Sequence, residues 1–193
     1  RWVNVSSTLA QIMKKILIIF FIFLYFFNNA YAQEFKLEKI VDGLDNPWSL
    51  SFVDKENIVF TEKQGKLYLL NIKNKKISEI KHDLNVLEYG QGGLLDVLFM
   101  DQDLYISYSE DRGDWKTSTS VAKGKFNQNN ISFKNIFRAE PPIDSQYHFG
   151  SRLVIKDKYI FITAGERGQG MIAQDPTKHP GSIIRINLDG SIP

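Results

Sequence analysis

The sequence predicts an all-β fold built from a repeated unit of strands, and three observations support this fold class. From Gln33 onward, apolar residues alternate with polar ones or run for five to seven positions between clusters of Gly, Asn and Asp. No stretch of this region keeps a 3.6-residue apolar period for three turns, as an amphipathic helix would. In addition, one plan of three strands recurs three times along the chain.

The segment before this β region has the order of features typical of a secretory signal peptide. Met13-Lys14-Lys15 supplies positive charge, Ile16 to Phe27 is unbroken and apolar, and Ala30-Tyr31-Ala32 offers small residues for cleavage. The apolar run has 12 residues, whereas a helix needs about 20 to span a bilayer. A cleaved leader is therefore favoured over the alternative, a permanent membrane anchor.

These features divide the chain into three parts. Residues 1–12 are interpreted as translated sequence upstream of a start at Met13, and residues 13–32 as the signal peptide. We expect cleavage between Ala32 and Gln33 and a periplasmic or secreted product. The remaining part, 33–193, carries the β region.

Eleven strands are predicted in the β region from their apolar patterns and the turn residues between them. They are Phe35 to Val41, Trp48 to Val53, Ile58 to Thr61, Lys66 to Ile72, Leu94 to Met100, Leu104 to Tyr108, Thr119 to Phe126, Ile131 to Phe137, Arg152 to Ile155, Tyr159 to Thr163 and Ser182 to Asn187.

The recurring plan predicts a β-propeller. In each copy an apolar strand is followed by a turn, a second strand that closes on a glutamate, a loop and a third strand. The glutamates are Glu62, Glu110 and Glu166, at intervals of 48 and 56 residues, which is the size of a four-stranded blade with variable loops. Since propellers have about four to eight blades, 33–193 is expected to be the N-terminal part of a ring, with about three blades. A small β-sandwich is the alternative.

Composition and charge exclude several classes of function. The chain has no cysteine, which excludes disulfides, Cys-ligated zinc, iron–sulfur clusters and a thiol nucleophile. It has 24 basic and 22 acidic residues, but Arg1, Lys14 and Lys15 lie in the first 32 residues, so the β region is nearly neutral and has no basic stripe for nucleic acid. No Walker A loop, dinucleotide fingerprint, HExxH or EF-hand motif is present.

Two loops carry polar residues that turns alone do not require. In Glu88 to Asp96, three glycines surround Gln91, whose amide can both donate and accept hydrogen bonds. In Tyr147 to Arg152, His148 offers an imidazole of the kind that serves as a general base near neutral pH. From spacing alone, a glycine-rich turn with an incidental glutamine and a structural histidine remain open as alternatives.

The other polar positions have plainer interpretations. The loop Gly165 to Gly170 contains Glu166 and Arg167, whose charges are expected to pair with one another. His82 and His179 are interpreted as ordinary surface residues.

Several of these stretches together resemble the soluble PQQ-dependent sugar dehydrogenases, in particular the aldose sugar dehydrogenase branch of the glucose/sorbosone dehydrogenase family. The stretches occur in family order and cover nearly all of the β region. They are Gly43 to Leu50, Gly90 to Val97, His148 to Leu153, Gly165 to Gln169, Ala173 to Asp175 and Gly181 to Pro193.

The resemblance implies a fold, a location and a chemistry. It implies a six-bladed propeller, exported to the periplasm, that holds pyrroloquinoline quinone (PQQ) and calcium at one end of its channel and passes electrons to an external acceptor. His148 would be the general base that takes the proton from the anomeric hydroxyl of an aldose while C1 gives a hydride to the quinone, which yields the lactone. Gln91 falls on the glutamine that faces the cofactor and the substrate.

The sequence also departs from the family pattern. Tyr147 stands where glucose-oxidising relatives have an acid, and Met171 and Ile172 replace a Gln-Leu pair, so the sugar preference is not carried over. The calcium ligands and most residues that clamp the cofactor are expected after Pro193, and the piece 33–193 is therefore expected to be inactive alone. Two other functions remain open: an exported non-catalytic propeller that binds carbohydrate or protein, and a hydrolase of the lactonase type.

Overall fold

The computed structural model describes residues 3–27 and 35–193, and the chain divides into two compact units, Arg1–Lys39 and Ile40–Pro193. The first unit contains one helix, α1 (Val3–Phe27), which includes the whole predicted apolar run. The predicted cleavage site between Ala32 and Gln33 lies outside the described residues. Within the described ranges, no helix has both the length and the apolar character needed to cross a membrane.

The second unit contains three sheets, which we call blades 1, 2 and 3. Blade 1 consists of β1 (Pro47–Phe52), β2 (Asn57–Glu62), β3 (Lys66–Asn71) and β4 (Lys76–His82), with the two-residue strand β8 (Asn130–Ile131) parallel to β4. Blade 2 consists of β5 (Leu94–Met100), β6 (Asp103–Asp111), β7 (Thr117–Lys125) and β9 (Lys134–Arg138). Blade 3 consists of β10 (Gly150–Lys156), β11 (Tyr159–Ala164) and β12 (Ser182–Asn187), with a 3-10 helix, Gly170–Gln174, between the last two.

The predicted all-β class and the plan of about three blades are confirmed, with three differences in detail. Residues 35–41 form no strand, although Phe35 and Leu37 alternate with polar residues, and both of these side chains are exposed. β4 was not predicted, because its apolar residues Ile77 and Ile80 are three apart rather than alternating. The predicted strand Ile131 to Phe137 is two strands, β8 and β9.

The first strand of each blade, which we call the inner strand, carries a β-bulge at the same place. The pairing with the second strand shifts between Pro47 and Ser49, between Leu94 and Val97, and between Gly150 and Leu153. Trp48, Asp96 and Arg152 are therefore equivalent positions, each one residue before the regular part of its strand. A bulge re-aims the side chain at its site, and it does so here three times.

The strand register confirms one of the two predicted glutamate equivalences. Met100 pairs with Asp103 and Lys156 pairs with Tyr159, which makes Glu110 and Glu166 equivalent. Phe52 pairs with Ile58, six residues later rather than three. Glu62 therefore lies three positions before the place in blade 1 that corresponds to Glu110 in β6. The physical reason is the longer turn between β1 and β2.

Two apolar clusters fill the spaces between neighbouring blades. Val59 and Leu67 of blade 1 pack with Leu104 and Ile106 of blade 2. Tyr105, which lies between the last two residues in β6, points the other way and packs with blade 3. Because successive side chains of a strand point to opposite faces, β6 contributes to both clusters, and this explains why it is buried along almost its whole length.

The buried carboxylate of Asp96 joins the inner strands of all three blades. Asp96 is 1% exposed and accepts hydrogen bonds from Ser49 Oγ at 2.5 Å, from Arg152 Nη1 at 2.9 Å and from the backbone N–H of Leu153 at 2.7 Å. The Arg152 guanidinium also lies 4.6 Å from the ring centroid of Trp48. The three equivalent positions in the bulges, Trp48, Asp96 and Arg152, therefore form one contact, with charge pairing and cation–π attraction.

Replacing Asp96 with alanine removes all three acceptor contacts at once. Because the N–H of Leu153 stays buried without an acceptor, we expect Asp96→Ala to lower the free energy of unfolding by about 3 kcal/mol. Urea denaturation measures this, with Asp144→Ala, at an exposed aspartate, as the matched control. Equal stability of the two variants would contradict the role given to Asp96.

Candidate functional site

The loops that lead into β5 and β10 bring Gln91 and His148 together. The backbone N–H of His148 donates to Gln91 Oε1 at 2.8 Å, and the backbone N–H of Gln91 donates to the carbonyl oxygen of Gln146 at 2.8 Å. The two candidate residues, 57 positions apart in sequence, are thus held by hydrogen bonds in both directions between the loops.

Glu166 is a third member of this group, and sequence analysis did not assign it there. Its Oε1 is hydrogen-bonded to Nδ1 of His148. This contact is the main reason why the pKa of the Glu166 carboxyl is lowered from its ordinary value. The expected pairing of Glu166 with Arg167 is wrong, because each side chain has other partners.

The contact with Glu166 orients the imidazole of His148. A carboxylate accepts only, so it selects the tautomer that carries the proton on Nδ1 and leaves the lone pair of Nε2 available. The His148 side chain is 52% exposed, and among the hydrogen bonds of the described residues none uses its Nε2. This arrangement leaves Nε2 able to accept a proton from a group that binds beside it.

Close backbone approach fixes the loop of His148. The backbone at His148 has a φ of 51°, in the left-handed region that few non-glycine residues adopt. A Cβ at Gly165 would lie 1.9 Å from the carbonyl oxygen of His148, so only glycine allows the two loops to come this near. The glycine-rich pattern that singled out these loops is therefore required for contact between them.

Arg167 holds the same loop from its buried side. It is 3% exposed and donates from Nε to the carbonyl of Tyr147 at 3.0 Å, from Nη1 to the carbonyl of Thr117 at 3.0 Å, and from Nη2 to the carbonyl of Ser145. The guanidinium lies 3.6 Å from the ring centroid of Phe149. Burial lowers the pKa of Arg167 to about 10, so the side chain remains charged at neutral pH.

Sequence reasoning missed Arg167 because a charged residue next to Glu166 in a polar, glycine-rich loop normally indicates a solvated position. The hydrogen-bond partners that bury it, around Thr117 and Ser145, lie in other parts of the chain. The flanking residues Gly165 and Gly168 are the available signal, since they indicate a tight loop into which a long side chain can fold back.

The other two histidines serve the fold. Burial lowers the pKa of His82, whose Nε2 contacts the carbonyl of Gly65 at 2.8 Å, so the expectation of an ordinary surface position is wrong for this residue. His179 Nδ1 accepts the backbone N–H of Glu140 at 2.8 Å, and its ring packs edge-on against Phe137.

The described part of the chain offers donors for an organic cofactor more readily than ligands for a metal. Within 3–27 and 35–193, no three His, Cys, Asp or Glu side chains are grouped to hold a metal ion. The described hydrogen bond of the Gln91 side chain uses only its oxygen, which leaves the amide N–H groups available. Together with His148 Nε2, these groups suit the oxygens of a quinone and the hydroxyl of a substrate.

The fold is that of a propeller whose polar residues gather where the loops of adjacent blades meet. A family model described as Glucose / Sorbosone dehydrogenase matches residues 44–193, and the chain belongs to this family. It is 34% identical over 167 residues to the aldose sugar dehydrogenase YliI of Escherichia coli (strain K12), covering 81% of this chain and 45% of that protein. It is 28% identical over 202 residues to quinoprotein glucose dehydrogenase B of Acinetobacter calcoaceticus, covering 86% of this chain and 42% of that protein.

Solved structures give the same result for the fold. The apo form of the soluble aldose sugar dehydrogenase from Escherichia coli matches with a TM-score of 0.76 and 34% identity, over 81% of this chain and 48% of that one. The PQQ-bound form of aldose sugar dehydrogenase from Streptomyces coelicolor matches with a TM-score of 0.70 and 20% identity, over 80% and 48%. The chain spans less than half the length of the curated relatives named above.

Replacing Arg167 should release the loop of His148. In Arg167→Met, the carbonyls of Ser145 and Tyr147 lose the donor that Arg167 provides, while the carbonyl of Thr117 keeps the backbone N–H of Ile143. We expect the free energy of unfolding to fall by about 3 kcal/mol. Urea denaturation measures the loss, with Arg185→Met, at an exposed arginine, as the matched control. An effect no larger than that of the control would mean that Arg167 does not hold the loop.

Proposed function

We propose that the full-length protein oxidises the anomeric C1 hydroxyl of aldose sugars to the lactone, with PQQ as cofactor. The observation that carries this proposal is the juxtaposition of His148, Gln91 and Glu166 at the loops of blades 2 and 3. Family membership and the names of the relatives, an aldose sugar dehydrogenase and a quinoprotein glucose dehydrogenase, support it.

The cofactor part of the proposal rests on the chemistry of the donors. The side chain of Gln91 accepts the backbone N–H of His148, and these two residues would face PQQ from this half of the propeller. When bound, PQQ supplies the two-electron oxidant, which the protein side chains lack. Calcium is proposed with it, held by residues outside this chain.

The residues of this chain would handle the proton. Glu166 keeps the Nδ1 proton of His148 in place, and Nε2 accepts the proton of the anomeric hydroxyl. Removal of that proton raises the electron density on the oxygen and so favours departure of the hydrogen from C1. Gln91 positions His148 through its carbonyl oxygen and has its amide N–H groups left for the ligand.

Activity is proposed for the full-length protein only, with an external electron acceptor. The piece 33–193 is proposed to be inactive alone, since the groups that would clamp PQQ and calcium are assigned to the rest of the protein. Tyr147, whose ring centroid lies 6.1 Å from that of His148, and Met171 are both exposed. They are proposed to make the sugar preference differ from that of the glucose-oxidising relatives.

Removing the proposed base should abolish turnover without unfolding the protein. Asparagine tolerates the left-handed backbone at position 148 better than alanine does, so His148→Asn is the variant of choice. In protein reconstituted with PQQ and calcium and assayed by dye reduction with a panel of aldoses, we expect kcat to fall at least about 100-fold. His179→Asn is the matched control and should keep wild-type activity.

Glu166→Gln separates positioning from binding in the same assay. Because the amide no longer selects the tautomer of His148, kcat should fall while KM for the aldose changes little. Equal activity of wild type and His148→Asn would show that His148 is not the general base. No activity of the wild type with any aldose would favour the non-catalytic binding propeller.

We also propose that the protein is exported and that its mature form begins at Gln33. The basis is the order of charge, apolar run and small residues in 13–32. Mass spectrometry of the N-terminal peptide of the exported protein tests this. We expect Ala32→Arg to block the cut, since the site requires a small residue, and Ala32→Gly to preserve it. An exported wild-type chain that retains Ile16 to Phe27 would contradict the proposal.

A further inference from the structure

A small polar cavity lies at the edge of blade 2 and shares no residue with the candidate site. Its walls come from residues 83–85, from the end of β6 at Tyr108 and Glu110, and from residues 133–138. Its volume is about 180 Å³. At about 30 Å³ per water molecule in the liquid, this is the space of roughly six waters and suits one monosaccharide ring.

The carboxylate of Glu110, which already accepts several hydrogen bonds, holds the wall of the cavity in place. Glu110 is 6% exposed and accepts hydrogen bonds from Arg138 Nε at 2.8 Å, from Asn135 Nδ2 at 3.0 Å and from Ser120 Oγ at 2.6 Å. The hydroxyl of Tyr108 donates to Asn135 Oδ1 at 2.8 Å. These contacts leave Glu110 little capacity for a ligand, but they hold the neighbouring side chains in one orientation.

Several donors and acceptors around Glu110 remain for a ligand. Among the hydrogen bonds of the described residues, those of the Arg138 side chain use Nε, which leaves both terminal amino groups. Asn85 donates one amide hydrogen to the carbonyl of Asp111 at 3.2 Å and keeps its oxygen. Burial raises the pKa of Tyr108 to about 12, so its phenol stays neutral and its oxygen can accept a hydrogen bond.

Charge and shape select the class of ligand. Asp83 and Glu110 carry two negative charges against one positive charge on Arg138, which disfavours an anion. Planar guanidinium and amide groups suit pairs of neighbouring hydroxyls, and the lining that a ligand can reach is mostly polar, as suits a small polyhydroxylated ring. We propose that this cavity binds a neutral monosaccharide ring, as a carbohydrate site separate from the candidate active site.

Calorimetric titration of the full-length protein with methyl α-glucoside, methyl α-mannoside and methyl α-galactoside tests the proposal. These probes have a blocked anomeric oxygen, so they cannot be oxidised at C1. We expect saturable binding of at least one probe. Asn85→Ala should weaken it about fivefold, as expected for one hydrogen bond of about 1 kcal/mol. Asn129→Ala, at an exposed asparagine of the same blade region, is the matched control and should bind as wild type.

A second variant keeps the test independent of folding. Arg138→Lys retains a positive charge beside Glu110 but loses the planar donor pair, so binding should weaken about tenfold while the circular dichroism spectrum is unchanged. If Arg138→Lys does not fold, Asn85→Ala decides alone.

Binding that survives in His148→Asn supports a site separate from the candidate base, whether or not the dehydrogenase proposal holds. No saturable binding of any probe would overturn the proposal. So would binding that is lost in His148→Asn and retained in Asn85→Ala, or stronger binding of sodium acetate or calcium chloride than of the glycosides.

Discussion

The buried carboxylate of Asp96 is the interaction on which the arrangement of the blades depends. Backbone ladders hold each sheet together, but the inner strands of neighbouring blades are joined by side chains. Asp96 joins three of them through Ser49, Arg152 and the N–H of Leu153. Hydroxyl groups add further joints, such as Thr61 Oγ1 to the carbonyl of Leu95 at 2.6 Å. Because a charged acceptor makes stronger hydrogen bonds than a neutral one, Asp96 dominates this set.

The hydrogen bonds of Asp96 also position the candidate site. Asp96 lies five residues after Gln91, and Arg152 lies four residues after His148, so the strands that Asp96 connects continue directly into the two loops. The contact between Gln91 and His148 is thus an extension of the contact between inner strands. Arg167 then holds the His148 loop from the buried side, and Glu166 orients the imidazole.

Sequence patterns predicted most of the strands and two of the three residues of the candidate site, because both depend on local order. Alternation of apolar residues reports which face of a strand is buried, and a histidine or glutamine among glycines marks a polar loop. The hydrogen-bond and ion-pair partners of a side chain do not depend on local order. Whether Glu166 pairs with Arg167 or with His148, and whether Arg167 is solvated or buried, depends on which distant segments pack there. Residues 35–41 show the reverse case, since alternation without pairing to a neighbouring strand gives no ladder.

The left-handed backbone of His148 restricts how this position can evolve. Glycine, asparagine and aspartate tolerate such a φ, whereas valine, isoleucine and threonine strongly disfavour it. A lineage that abandoned the imidazole would therefore drift toward a small or short polar residue here, or would have to rebuild the loop. The backbone conformation at position 148 thus limits which amino acids are tolerated there, independently of the chemistry that the side chain performs.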